Sequence, residues 1–281
     1  MKNERIHRKT RPLAEHAQKL YPGILLGGTG WNVTSSLADV GIQDGPVDYR
    51  GYPWFKRSLG WSMRGCRLKC RFCVVPKKEG KARAYSSIDE IYRGDGFPRE
   101  LLLLDNDLFG HPDWRSVVDA IVAGKFKVSF VQGINARFLD EETATALGRM
   151  QVRDDNMKRR RLYTAWDGRK DEKRLLDGLK ALVTHGGFSP DMLMVYMLIG
   201  EDEGETHADR DYRRAKLRAF GARPYPMPFR RTPELVAFQR WVIKRHDLHT
   251  TWEQFYGRAG GEPRKLGPRR VSLSLFPDEA S

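Results

Sequence analysis

Short apolar runs alternate along this chain with segments whose apolar residues return every three or four positions, the pattern that parallel βα units require. Six runs read as strands: 58–65 (SLGWSMRG), 100–105 (ELLLLD), 127–133 (KVSFVQG), 161–166 (RLYTAW), 192–200 (MLMVYMLIG) and 219–228 (AFGARPYPMP). The run at 100–105 is apolar throughout, as in a strand buried on both faces. The last is a short edge strand, because Pro224 and Pro226 cannot donate to a ladder, and Pro226 and Pro228 should end it.

Helical spacing fills the intervals. It marks 87–93, 114–123, 140–150 behind an aspartate cap, and 171–184, where Leu175, Leu176, Leu179 and Leu182 form one stripe closed by His185, Gly186 and Gly187. A further stripe of Leu235, Phe238, Trp241 and Val242 follows the last strand. The expected class is α/β, and six such units make a partial, open barrel. The chain divides into an extension (1–57), the repeating core (58–229) and a C-terminal helix with a basic tail (230–281). In sheets of this kind polar residues at the carboxyl ends of strands do the chemistry. Asp105, Asn106 and Asp107 stand after the second strand; Gln132, Asn135 and Arg137 after the third; Gly200 and Glu203 after the fifth. Each set also reads as ordinary turn and surface chemistry.

Composition narrows the class. With 281 residues and 40% hydrophobic content the chain can bury one large core. No apolar run approaches the roughly 20 residues needed to cross a bilayer, and the charged start MKNERIHRKTRPLAEHAQKL lacks the apolar centre of a secretory signal. An odd set of three cysteines excludes a secreted disulfide framework, so a reducing, cytoplasmic setting is expected. Fifty basic against 36 acidic residues give a net charge of +14, gathered at 57–83, 158–161 and 258–270. Such a field attracts phosphates, which makes RNA a candidate partner, although no RRM, KH or helix-turn-helix pattern is visible. The glycines of YPGILLGGTGWNVT (21–34) do not form GxGxxG and read as a loop.

All three cysteines, Cys66, Cys70 and Cys73, fall in GCRLKCRFC. Thiolates so close together can hold a soft metal centre, and a cluster with three protein ligands leaves one iron open. Two other readings stand beside it: a zinc knuckle completed by a histidine such as His111, and inert buried thiols. His246 and His249 lack a third ligand.

The spacing CxxxCxxC, with Phe72 before the last cysteine, resembles the signature of the radical S-adenosylmethionine (radical SAM) superfamily. The later landmarks LLLLDNDLFGHPDW, SFVQGINARFLDEETA, VYMLIG and PYPMPF extend the resemblance over about 58–229, to a group without a settled substrate. It implies a partial (β/α)6 TIM-like barrel, one [4Fe-4S] cluster on the three cysteines, and SAM chelated by the open iron. Phe72 would then lie against the adenine. Asp105, Asn106, Gln132, Asn135 and Arg137 would offer polar contacts to SAM, and LIGEDEGE partly matches the adenine-contacting GxIxGxxE, with Leu198, Gly200 and Glu203 in place and Tyr196 where the first glycine stands. The implied reaction is reductive cleavage of SAM and hydrogen abstraction from a substrate, with flavodoxin or ferredoxin as electron donor. The second-cluster cysteines of methylthiotransferases and the DxHxxG motif of cobalamin binders are absent. The alternative from a different class is a non-catalytic basic zinc or iron–sulfur protein that binds nucleic acid.

Overall fold

The computed structural model describes residues 4–28, 31–43, 45 and 47–258; the expected basic tail beyond 258 lies outside them. The chain is mixed α/β with parallel sheets. Its strands are β1 (Ser58–Gly60), β2 (Met63–Arg64), β3 (Arg83–Ala84), β4 (Glu100–Leu103), β5 (Lys127–Phe130), β6 (Gln151–Val152), β7 (Leu162–Ala165), β8 (Leu193–Ile199) and β9 (Arg223–Pro228). The helices are α1 (Glu4–Leu20), α2 (Val75–Lys78), α3 (Ile88–Ile91), α4 (Trp114–Ala123), α5 (Glu141–Arg149), α6 (Glu172–Thr184), α7 (His207–Phe220), α8 (Pro233–Ile243) and α9 (Trp252–Arg258). Among the described residues no helix is long and apolar enough to cross a membrane.

One parallel sheet runs β1-β4-β5-β6 and a second β7-β8-β9, while β2 and β3 form a separate antiparallel hairpin. Ile134 N donates to Tyr163 O at 2.8 Å, so the chain leaving β5 lies beside β7 and links the two parallel sheets. The fourth expected strand, 161–166, is β7, and β6 is a short strand that the sequence pattern did not mark. Residues 151–152 pair with the start of β5, the chain turns out through 153–161, and 162–165 pair with β8.

Alternation along β8 separates two faces. Leu193, Val195, Met197 and Ile199 are fully buried in the same core as Leu175, Leu179 and Leu182 of α6 and Leu217 of α7. Met194, Tyr196 and Leu198 point the other way and stay partly accessible. The leucine stripe of α6 is core as expected, and Asp140 caps α5 by accepting from Thr143 N at 2.9 Å.

Two expectations about strands are corrected. The run 58–65 is broken at Trp61 into β1 and β2, because Ser62 turns to bond Asp105. The sixth strand starts later than expected, because 219–220 close α7 and Gly221 caps it; it runs through Pro226 and ends at Pro228, paired with β8. Phe229 N donates to Ile199 O at 2.9 Å, so alternate residues 223, 225, 227 and 229 face β8, and Pro224, Pro226 and Pro228 present their missing N–H to the free edge. That edge is covered: Gln239 of α8 donates to Pro226 O at 2.9 Å. The opposite edge is covered by one side chain, the Tyr49 hydroxyl, which accepts from Leu59 N at 2.7 Å and donates to Leu59 O at 3.3 Å.

Candidate metal centre

The cysteines lie in the loop closed by the β2–β3 hairpin, where Met63 pairs with Ala84 and Arg64 with Arg83. The neck of this loop tolerates only glycine at 65. Gly65 has φ +78°, and a Cβ there would stand 2.1 Å from Lys81 O. Glu79 ties the neck together. Its carboxylate accepts from Gly65 N and from Asn106 Nδ2, both at 3.0 Å, and pairs with Arg64 at 3.1 Å. Cys66 N donates to Gly80 O at 3.2 Å.

All three thiols are free and half-buried. Burial pushes the Cys66 and Cys73 thiols up, and the other thiols of the loop add to this. Leu68 N donates to the Cys66 sulfur at 3.4 Å, and the Arg137 guanidinium stands near Cys70. Such donors are what thiolate ligands of a metal centre take from their outer shell. By donor chemistry alone, three free thiols in one loop, the set fits an iron–sulfur group. Among the described residues, no three histidine, cysteine or acidic side chains are gathered to hold a metal ion. His111 is 7% exposed, and its Nδ1 accepts from Asp113 N at 2.8 Å.

Three arginines anchor the loop region across the sheet ends. Arg67 reaches Asp107 after β4, at 2.8 and 3.1 Å, and lies 4.7 Å over the Phe138 ring. Arg137, after β5, stands near Cys70. Arg71 forms a two-pronged pair with Glu201 after β8, at 3.1 and 2.9 Å. Phe72, 36% exposed, stands between Arg71 and Cys73. Helix α6 fixes Arg137: Gly178 lets the helix close on Ala136 O, 1.8 Å from where a Cβ would sit, and Asp171 at its start takes Arg137 at 2.7 Å.

Contacts with the cysteine loop are made by Asn106 through Glu79, by Asp107 through Arg67, and by the turn after Gly200 through Glu201 and Arg71. Asn135 Oδ1 accepts from Arg137 Nε at 3.0 Å. Gln132 is exposed on the turn before Gly133. Asp105 is 2% exposed and already engaged, accepting from Ser62 N at 2.7 Å, from Met63 N at 3.2 Å and from the Ser62 hydroxyl. Burial raises its pKa to about 6. Glu203 lies at the surface, paired with Arg230 at 3.2 Å. The acid that holds the β8 turn is Glu205, which accepts from Gly200 N at 2.6 Å and pairs with the buried Arg213. Gly200 has φ +70°, and a Cβ there would meet Leu235 Cδ1 at 2.4 Å. His246 and His249 lie beyond α8, where His246 stacks on Phe255.

Sequence reasoning missed Asp167, directly after β7. Burial pushes its carboxyl up while Arg137 and Arg213 pull it down, and its charge raises the Cys73 thiol, so it faces the site. The strand-end rule that found the residues after β4, β5 and β8 would have found it too. Comparison with family models, with curated proteins and with solved structures found no match.

Proposed function

We propose that this chain is a radical SAM enzyme of the cytoplasm, its parallel strands β1, β4, β5, β7, β8 and β9 forming a partial (β/α)6 barrel. One observation carries this reading: a CxxxCxxC loop that Arg67 and Arg71 tie to the ends of strands β4 and β8. Cys66, Cys70 and Cys73 would hold the [4Fe-4S] cluster. When bound, the reduced cluster would supply one electron to the sulfonium of SAM, whose bond to the 5′ carbon would break to release methionine and a 5′-deoxyadenosyl radical able to take a hydrogen atom from the substrate.

The protein's own part is to bind, orient and exclude water. Phe72 offers a ring for the adenine, and the Gly200 turn, held by Glu205, offers close backbone approach. Asn106, Gln132, Asn135 and Arg137 are the polar groups within this region for the amino acid and ribose portions of SAM. Asp105 is left out of these contacts because its oxygens are used by Ser62 and Met63, and Glu203 because it is at the surface. Asp105 positions the loop through Ser62. The exposed Lys69, Lys77, Lys81 and Arg83 form a rim that suits an acidic flavodoxin or ferredoxin as electron donor.

The test is anaerobic iron–sulfur reconstitution followed by SAM and dithionite, with 5′-deoxyadenosine as the product assayed. Its formation, lost in Cys70→Ala, is the expected result. Bound zinc without SAM cleavage would overturn the reading in favour of a non-catalytic nucleic-acid-binding protein.

A further inference from the structure

The face of β7, β8 and β9 turned away from the helices carries Tyr163, Tyr196 and Tyr225, one on each strand. Tyr196 and Tyr225 are directly paired in register, with ring centroids 5.4 Å apart and planes at 85°. Tyr163 and Tyr196 lie parallel, at 2° and 5.7 Å. The three rings are only half-buried. The Tyr196 and Tyr225 hydroxyls take no hydrogen-bond partner among the described residues.

This is an unusual use of a strand interior. Apolar core packing needs no row of hydroxyls, and a buried tyrosine hydroxyl normally finds a partner. Burial and the two neighbouring tyrosines push the Tyr196 pKa up to about 12, so its hydroxyl stays neutral. A row of aromatic rings on one sheet face offers stacking and edge contacts to a flat heteroaromatic ring, because every base has a π-face.

Position separates this platform from the SAM contacts. Tyr196 precedes Gly200 by four residues, about 13 Å along an extended strand, while Glu201, next to Gly200, holds the cysteine loop through Arg71. A second molecule can therefore lie deeper than the loop, against the tyrosines. Around that loop Lys69, Lys77 and Lys81 are exposed and carry no ion pair among the described residues. Their charge complements a phosphate.

We propose that the substrate is a nucleotide unit, its base lying on the Tyr163–Tyr196–Tyr225 face and its phosphate held by the lysines of the cysteine loop. This assignment rests on the enzyme reading above and names its substrate class. A free nucleotide and a base within an RNA strand share this chemistry.

The two sources are separated by binding to the reconstituted protein. AMP, GMP, CMP and UMP are titrated by calorimetry, and a fluorescein-labelled single-stranded RNA 12-mer by anisotropy. Mononucleotide binding that the strand does not improve assigns the free nucleotide; binding of the strand alone assigns RNA. In either case Tyr196→Leu should weaken binding on the order of tenfold, while Tyr196→Phe, which keeps the ring, should leave it near the wild-type value. The Lys77→Glu, Lys81→Glu double variant should weaken binding and reduce the salt slope by about 1 to 2. Should Tyr196→Leu fail to fold, the wild-type protein answers instead, through protection of Tyr225 from tetranitromethane nitration by the bound probe. Binding by neither probe, or wild-type binding in Tyr196→Leu, overturns the proposal. Assaying 5′-deoxyadenosine on the same preparations keeps the two conclusions apart: its formation without probe binding removes the platform alone, and probe binding without it removes the enzyme reading.

Discussion

Glu79 accepts the Gly65 N–H at 3.0 Å, and this bond closes the neck of the loop that carries all three cysteines. The same carboxylate satisfies Asn106 and pairs with Arg64, whose side chain is 18% exposed. Glu79→Ala strands all three donors at once. We expect a loss of about 2–4 kcal/mol in urea unfolding, together with reduced iron uptake on reconstitution. Unchanged stability and uptake would show that the neck closes without Glu79.

Asp105 gives the fold a pH dependence with a definite sign. Its pKa is about 6 in the folded chain against 3.8 as the ordinary value, so between those limits the folded state holds more proton than the unfolded one. Its contribution is fully present below about pH 4 and is lost as pH rises through 6. The size is at most about 3 kcal/mol. Other raised carboxyls, Asp167 and Glu205, act in the same direction. Their effect is removed by comparing wild type with Asp105→Asn. The variant should lose less stability than wild type when urea unfolding is repeated from pH 4 to pH 7, and parallel curves would contradict the shift.

The two acids after β8 should behave oppositely. Glu205 sits between the buried Arg210 and Arg213 and receives Gly200 N–H. Removing it leaves two guanidinium groups short of a partner in the interior, so Glu205→Ala should cost about 3–5 kcal/mol. Glu203 makes one surface pair with Arg230, and Glu203→Ala should stay within about 0.5 kcal/mol of wild type. Thermal unfolding of the two variants side by side is the check; similar losses would mean that the exposed acid holds the turn.

That pair also shows how far the sequence could be read. Spacing in LIGEDEGE pointed to Gly200 and Glu203, and the glycine was well chosen because its backbone needs positive φ and closeness to Leu235. The acid was not separable from its neighbours, since four carboxylates crowd into 201–205 and only burial distinguishes Glu205. Periodicity found the leucine stripe of α6 but not α7. The buried face of α7 is Arg210, Arg213 and Leu217, so its inward positions read as polar. Prolines marked β9 as an edge strand, and their registration to the free edge depends on which residues bond β8; its expected start at 219 instead closes α7, since a helix end and a strand start read alike in a short apolar run. The short strand β6 went unmarked because its pairing depends on the excursion 153–161, which is held from a distance by Arg57 on the Asp155 and Asn156 carbonyls.

Arg137 offers the sharpest test of the metal centre, because it is a charged side chain near Cys70 that a substitution can remove without touching the backbone. It is anchored by Asp171 at 2.7 Å and by Asn135 at 3.0 Å. Reduction potentials of iron–sulfur groups follow the local charge and the hydrogen bonds to sulfur. Arg137→Met removes a positive charge while keeping much of the side chain's bulk. In the reconstituted protein, iron content should match wild type, and the potential found by anaerobic redox titration should move to more negative values. Equal potentials in the two proteins would mean that Arg137 serves Asp171 and the α6 junction alone. Loss of iron together with loss of thermal stability would mark it as structural, and an Asp171→Asn variant, which frees Arg137 from its anchor without removing the charge, would then tell the two roles apart.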